Sequence, residues 1–226
     1  MRATLPKISV AIAVAASLFA APIGTGVSAS SENGGTKPLY GLGELKAEPN
    51  LDTLNVLFRT VRQAPDRNST EIIDWIVSNA DFLPPGFFFE LSRRLFRLEK
   101  QLAVEWYVVA QVRSQYDALR CREALAPLSF ALLPIITKEV LRYQKAQRSD
   151  FNKAARVALA RSDLFSERIS PLWTCRFGVF GSKIDSKTRG IGNEIVSDTQ
   201  WPRMRRRILA HYRKEYSARS FSKEGD

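Results

Sequence analysis

"FFFELSRRLFRLEKQLAVEWYVVAQVRSQYDALRC", from Phe87 to Cys121, decides the fold. Apolar residues recur at three- and four-residue spacing on both sides of the polar break "RLEKQ", which is the signature of two helices packed face to face. Pro84 and Pro85 stand just ahead of it, and proline is tolerated in the first turn of a helix. Arg113 and Asp117 are four apart, with Arg120 three further on. They predict an ion-pair ladder along one helix face, with Tyr116 beside it. Glu105 sits among Leu102, Val104, Trp106, Val108 and Val109. Such a carboxylate is either raised in pKa by desolvation, as a general acid requires, or paired with an arginine. The expectation is the second, with Arg93, Arg94 or Arg97 of the facing helix as the partner, or else a side chain that points outward.

Working outward, helical patterns continue on both sides. "LDTLNVLFRTVRQ" after Asn50 puts Leu51, Leu54, Leu57 and Val61 on one face. "NSTEIIDWIVSNADF" opens with Asn68 or Ser69 as N-cap and Glu71 in its first turn, and predicts Ile72, Ile73 and Ile76 as buried. A helix is expected from about Leu128 to Arg148, then a shorter one through "FNKAARVALARSDLF". Periodicity fails between Ser166 and Asp198, a glycine-rich stretch with room for a short strand pair. A last helix runs through "QWPRMRRRILAHYRKEYSARS". The fold class is therefore mainly α: a single-domain helical bundle of about five to seven helices with an irregular glycine-rich segment near the C-terminus.

The N-terminus reads as a targeting segment. Arg2 and Lys7 precede the apolar run "ISVAIAVAASLFAA", and Val27-Ser28-Ala29 supplies small residues for cleavage. That order is a secretory signal peptide over 1–29, cut after Ala29, and it places the chain in the periplasm or outside the cell. Residues 30–50, "SSENGGTKPLYGLGELKAEPN", read as a flexible leader, and 51–226 as the helical domain. The longest later apolar run, "LAPLSFALLPII", is broken by two prolines and falls short of the roughly 18 residues that a membrane span needs. In an oxidising compartment Cys121 and Cys175 are expected to form a disulfide.

Removal of the signal leaves 32 basic and 23 acidic residues, a net charge of +9. A surplus of that size speaks of partners rather than fold. In this compartment the partner is a protein with an acidic surface or an anionic envelope component, and nucleic acid is not expected. The last helix concentrates the charge. Trp201, Met204, Ile208, Tyr212 and Tyr216 form one apolar stripe, and Arg203, Arg206, Arg207, Arg213 and Lys214 occupy much of the remainder.

Enzyme signatures are sparse. His211 is the single histidine, so neither a histidine-rich metal site nor a metalloprotease pair can be built. "GVFGSK", Gly178 to Lys183, lacks the spacing of a phosphate-binding loop. No cofactor or metal is implied.

The stretch "AVEWYVVAQ", Ala103 to Gln111, resembles the second helix of a Sel1-type or tetratricopeptide repeat. Ala103, Trp106, Tyr107 and Ala110 match the small-aromatic spacing of that family, and Leu91 and Leu95 suit its first helix. The resemblance covers residues 87–121 as a single hairpin, and it implies protein binding through a helical groove. The leading expectation is therefore an exported, non-enzymatic protein-binding module, such as an inhibitor or immunity-type protein, which uses a groove and a basic face. Its contacts would be Arg113, Tyr116, Asp117, Arg203, Arg206 and Arg207. Two alternatives stay open: an envelope-surface module that binds anionic lipid or cell-wall polymer, and a glycan hydrolase that works through Glu90, Glu105 or Asp117.

Overall fold

The structure is a computed structural model that describes residues 42–122, 126, 133–165, 168–176 and 195–217. The expected signal peptide, the expected leader as far as residue 41 and the glycine-rich stretch 177–194 lie outside the described residues. Those residues form a helical bundle with eight α-helices: α1 Leu51–Gln63, α2 Ser69–Ser78, α3 Pro85–Leu95, α4 Lys100–Arg120, α5 Lys138–Ala146, α6 Arg148–Leu159, α7 Leu172–Arg176 and α8 Trp201–Glu215. An isolated antiparallel bridge, Cys121 to Ile195, is the β feature present.

The quoted hairpin, α3 and α4, is the centre of the bundle. Both helices are enclosed, and their buried residues include charged ones, Glu90 and Arg94 on α3 and Arg113, Asp117 and Arg120 on α4. In α3, ten of eleven residues are buried; α4, about 31 Å long at 1.5 Å per residue, is buried over most of its length. The two are locked by aromatic rows: Phe88 stacks on Trp106 at 5.5 Å between ring centroids, and Phe89 meets Tyr107 edge-on at 5.8 Å. Between the rows the Ser92 hydroxyl donates to the carbonyl of Ala103 at 2.7 Å. That small side chain lets the backbones approach and satisfies a buried hydroxyl.

The remaining helices cover this pair, each through an apolar stripe. Asn50 caps α1 by accepting from the Thr53 N–H at 2.9 Å, and Leu54, Leu57, Phe58 and Val61 turn inward. On α2 the buried face is Ile72, Trp75 and Ile76. Ile73, expected inside, is partly buried and packs at the edge of the core, while Trp75 meets Phe87 at 6.1 Å between ring centroids. Gly86 marks the tightest approach. A Cβ there would lie 2.6 Å from the Trp173 ring of α7, so the indole seals the hairpin only because glycine leaves it room.

The helix expected over Leu128–Arg148 is divided. A 3-10 turn, Leu133–Thr137, precedes α5, and the chain breaks at Gln147 before α6 begins. Residues 127–132 lie outside the described residues. Pro134 accounts for the first change, since it cannot donate to a continuous ladder. The last part of the expected leader, residues 42–50, is docked rather than free. Leu45 N–H donates to Asn79 Oδ1 at 2.7 Å, Trp75 Nε1 donates to the Gly43 carbonyl at 2.8 Å, and Glu48 accepts from Ser170 N–H at 3.0 Å.

Cys121 and Cys175 are joined, with their Cα atoms 5.4 Å apart and the residues 54 positions apart in sequence. The bond ties the end of α4 to α7. Closure of a loop of that length corresponds to about 4 kcal/mol in the chain-entropy treatment.

Candidate functional site

The interior holds an unusual set of polar and charged residues, and three of the six residues expected as contacts belong to it. Arg113, Tyr116 and Asp117 are buried at 4%, 0% and 5% exposure. They therefore act from inside the fold and present no contact surface. Nor do they form the expected ladder as a whole. Arg120 donates to Asp117 Oδ1 at 2.5 Å, whereas Arg113 turns away to collect main-chain carbonyls. It donates to Leu164 at 3.1 Å, Asp163 at 2.5 Å and Ala80 at 3.3 Å, and its guanidinium lies 4.8 Å from the Phe88 ring. A guanidinium has five N–H donors in a planar fork, so it can satisfy several loop carbonyls that a carboxylate cannot.

Asp117 also accepts from the Thr174 hydroxyl at 3.4 Å. Burial pushes its carboxyl up from the ordinary value, against the pull of Arg120. Arg120 itself is sandwiched between the rings of Tyr116 at 4.5 Å and Trp201 at 4.8 Å. Through Trp201 this stack joins α8 to the end of α4. There Val196 N–H donates to the Arg120 carbonyl at 2.8 Å, and Trp201 Nε1 donates to the Val196 carbonyl at 3.3 Å.

Glu105 does not face Arg93, Arg94 or Arg97. It is half-buried, and burial raises its carboxyl, opposed by Arg161 and assisted by Glu99. Arg161 lies 4.6 Å over the Trp106 ring and pairs with Asp163 at 2.7 Å. The carboxylate that does sit among the hairpin arginines is Glu90, 1% exposed, bonded to Arg93 at 2.7 Å and Arg94 at 2.8 Å. Arg94 continues to the C-terminus of α1, where its Nη2 donates to the carbonyls of Val61 and Ala64, each at 2.8 Å. That is a side-chain cap on orphan carbonyls. Arg97 and Arg93 reach out to Asp66, at 3.0 and 3.3 Å. Sequence reasoning missed Asp66, although the preceding Pro65 breaks the chain there and offers its carboxylate to the hairpin's end.

The α8 residues behave as their spacing predicts. Ile208, Tyr212 and Tyr216 are buried. Trp201 and Met204 pack partly against the core. Tyr212 stacks on Tyr216, whose hydroxyl donates to Gln111 of α4 at 3.1 Å. Arg156 of α6 donates to the Tyr216 carbonyl at 3.1 Å and caps this end of the helix. The opposite face carries Arg203, Arg206, Arg207, Arg213 and Lys214, all exposed. Glu215 is the one carboxylate in the helix sequence, and it lies 3.6 Å from His211. At 100° per residue, Arg203, Arg207 and Lys214 share one line along the helix, flanked by Arg206 and Arg213. The line is about 17 Å long at 1.5 Å per residue.

Among the described residues no group of three or more His, Cys, Asp and Glu could hold a metal ion. Nor is any helix there long and apolar enough to cross a membrane. No protein-family model matches the chain, and neither a curated protein nor a solved structure matches it.

Proposed function

We infer that this chain is an exported, non-enzymatic binding module that meets a protein of acidic surface through the outer face of α8. One concrete form is an inhibitor or immunity-type protein. The observation that carries the reading is the division of α8: its aromatic stripe docks on α4 and α6, and five cations stand on the exposed side. Arginine supplies much of the energy at protein interfaces, and a one-sign face steers an oppositely charged partner toward itself. The Sel1- or tetratricopeptide-like residues 87–121 fit the same class of function. They sit at the centre of the bundle with both helices covered, so the basic face rather than a hairpin groove is the contact.

Two features weigh against the alternatives. An interfacial membrane helix inserts its apolar face, but Ile208 and Tyr212 are already buried in the protein. A glycan hydrolase needs a pair of carboxylates that reach substrate, whereas two of the three candidates, Glu90 and Asp117, are enclosed and held by arginines, and only Glu105 is partly open.

The test uses the disulfide-bonded protein and an Arg203→Glu/Arg206→Glu/Arg207→Glu variant as parallel baits in extract of the exported fraction. The expected result is a stoichiometric protein that wild type retains at roughly 150 mM salt and the variant loses. Equal retention by both baits would overturn the reading. Material lost from wild type at moderate salt would transfer it to lipid or polymer.

A further inference from the structure

A second surface has the makings of a small-ligand site, and it does not depend on α8. It is a cleft of about 170 Å³ between the end of α3 and the start of α5. Both sides mix charge with apolar surface: Arg93, Phe96 and Arg97 come from the end of α3, and Ile135, Ile136 and Lys138 from the 3-10 turn and the start of α5. Phe96 is fixed edge-on against Tyr143 at 5.8 Å, so its ring is braced. Ile135 stands at 55% exposure, a large apolar side chain left in water beside three positive charges.

The guanidiniums have donors to give. Arg97 is 66% exposed and its bond to Asp66 uses one N–H, at 3.0 Å, of the five a guanidinium carries. Asp66 bridges Arg97 and Arg93, and the Arg93 hydrogen bond in particular holds its carboxyl below the ordinary value. It demonstrates that the pair accepts a carboxylate and competes with any other that arrives.

We propose that this cleft binds a carboxylate carried on a short apolar group. The head would meet Arg97 and Lys138, with the tail against Phe96 and Ile135. Size and charge select that chemistry. The cleft is smaller than the roughly 300–1,000 Å³ of sites for whole drug-sized ligands, so it takes the end of a chain rather than a cofactor. A phosphate dianion would leave the apolar side chains unused, and its second charge would be repelled more strongly than a monoanion by Glu139, the carboxylate in the lining. Two sources share the required chemistry, a short-chain fatty acid and a peptide C-terminus that ends in an apolar residue; capture of the latter is a known recognition mode.

The experiment is an amide-resonance titration of the disulfide-bonded full chain with hexanoate, hexan-1-ol, inorganic phosphate, and acetyl-Gly-Ala-Leu with a free or an amidated terminus. Saturable shifts at Thr137–Val140 are expected with hexanoate or with the free-acid peptide. Tighter binding of the peptide identifies a chain terminus as the source, and tighter binding of hexanoate identifies a free acid. Silence toward both carboxylates would overturn the site, and so would an equal response to hexanol, to phosphate or to the amide. Arg97→Gln, at an exposed position, should weaken binding about five-fold, the scale of one charge-assisted contact in solvent. Asp66→Asn removes the competitor and should strengthen binding about three-fold. Affinities unchanged in both variants would remove the two guanidiniums from the site and end the proposal.

Discussion

Arginine plays two opposite parts in this protein. Arg94, Arg113 and Arg120 are enclosed at 3%, 4% and 1% exposure, and each is bound to carbonyls or to a carboxylate that the fold cannot otherwise satisfy. Arg203, Arg206 and Arg207 stand in water on α8. Burial of an ion costs several kcal/mol unless partners replace its hydration, so the interior arginines survive only as parts of bonded constellations. Their partners are mostly main-chain carbonyls of the stretches between helices: Ala64, Ala80, Asp163 and Ile169. A bundle with much irregular connection uses the guanidinium fork as its internal fastener. The outer arginines fasten nothing comparable and are available to a partner.

Arg94→Met should break the interior half of that contrast most severely. Two carbonyls at the end of α1 lose their donor, and Glu90 keeps only Arg93. A loss of about 3–5 kcal/mol in unfolding free energy is expected, the usual cost of removing one member of a buried pair. Urea unfolding followed by circular dichroism would read it. A loss below 1 kcal/mol would mean that the guanidinium is not the cap on α1 that the geometry makes it.

The second prediction separates the two faces of α8 by pH. Tyr107, Tyr212 and Tyr216 lie along its inward contact, and burial first, then the charge of Glu215, pushes all three phenols above their ordinary value. The unfolded chain ionises its phenols near pH 10, so between there and the folded values it releases protons that the native state keeps. Stability from these groups is therefore fully present below pH 10 and is lost as pH rises. At about pH 11 the loss is roughly 4 kcal/mol for the three together. Phenolate absorbance from these three of the chain's six tyrosines should appear together with unfolding. Ionisation of the three that precedes loss of helix would put these rings in water.

Much of this arrangement was legible in the sequence, and the lapses share a cause. The stripes of α1 and α8 and the hairpin follow from periodicity, which depends on near neighbours, and the Cys121–Cys175 bond joins the chain's two cysteines. The carboxylate among the hairpin arginines is Glu90, not Glu105. Glu105 has the more apolar neighbours in sequence, but those neighbours occupy all sides of α4, so they do not say which way the carboxylate points. Glu90 has Arg93 and Arg94 at three and four residues' distance on its own helix, the spacing at which side chains meet, and that local geometry won. Arg113 obeyed the same spacing toward Asp117 and yet left it, because Ala80, Asp163 and Leu164 are brought beside it only by the fold. Long-range carbonyl partners leave no periodic trace.

A third test asks whether the interior charges stabilise the protein or merely suit it. Arg120 has Nε and Nη1 buried without a hydrogen bond, so its pairing with Asp117 leaves part of its desolvation unrepaid. Replacement of both partners, Asp117→Leu with Arg120→Met, should leave stability within about 1 kcal/mol of wild type or raise it, whereas Arg120→Met alone should lose about 3 kcal/mol. Thermal unfolding of the two single variants and the double variant closes the cycle. A double variant as damaged as the single one would show that the pair contributes net stability, and the interior arginines would then be more than well-matched passengers.

The smallest expected effect on stability completes the contrast. Arg203→Gln/Arg207→Gln removes two charges whose side chains stand in solvent, and exposed substitutions away from special features usually shift stability by less than about 0.5 kcal/mol. These two also repel each other at four-residue spacing, so a slight gain is the natural direction. The same variant should lower affinity for an acidic partner by about ten-fold, chiefly through slower association, and flatten its salt dependence. Unfolding and binding measured on one preparation give the ratio that matters. Lost binding with unchanged stability assigns these arginines to recognition, whereas a loss of both would mean that α8 needs its outer charges to fold, and the separation between inner and outer arginines would dissolve.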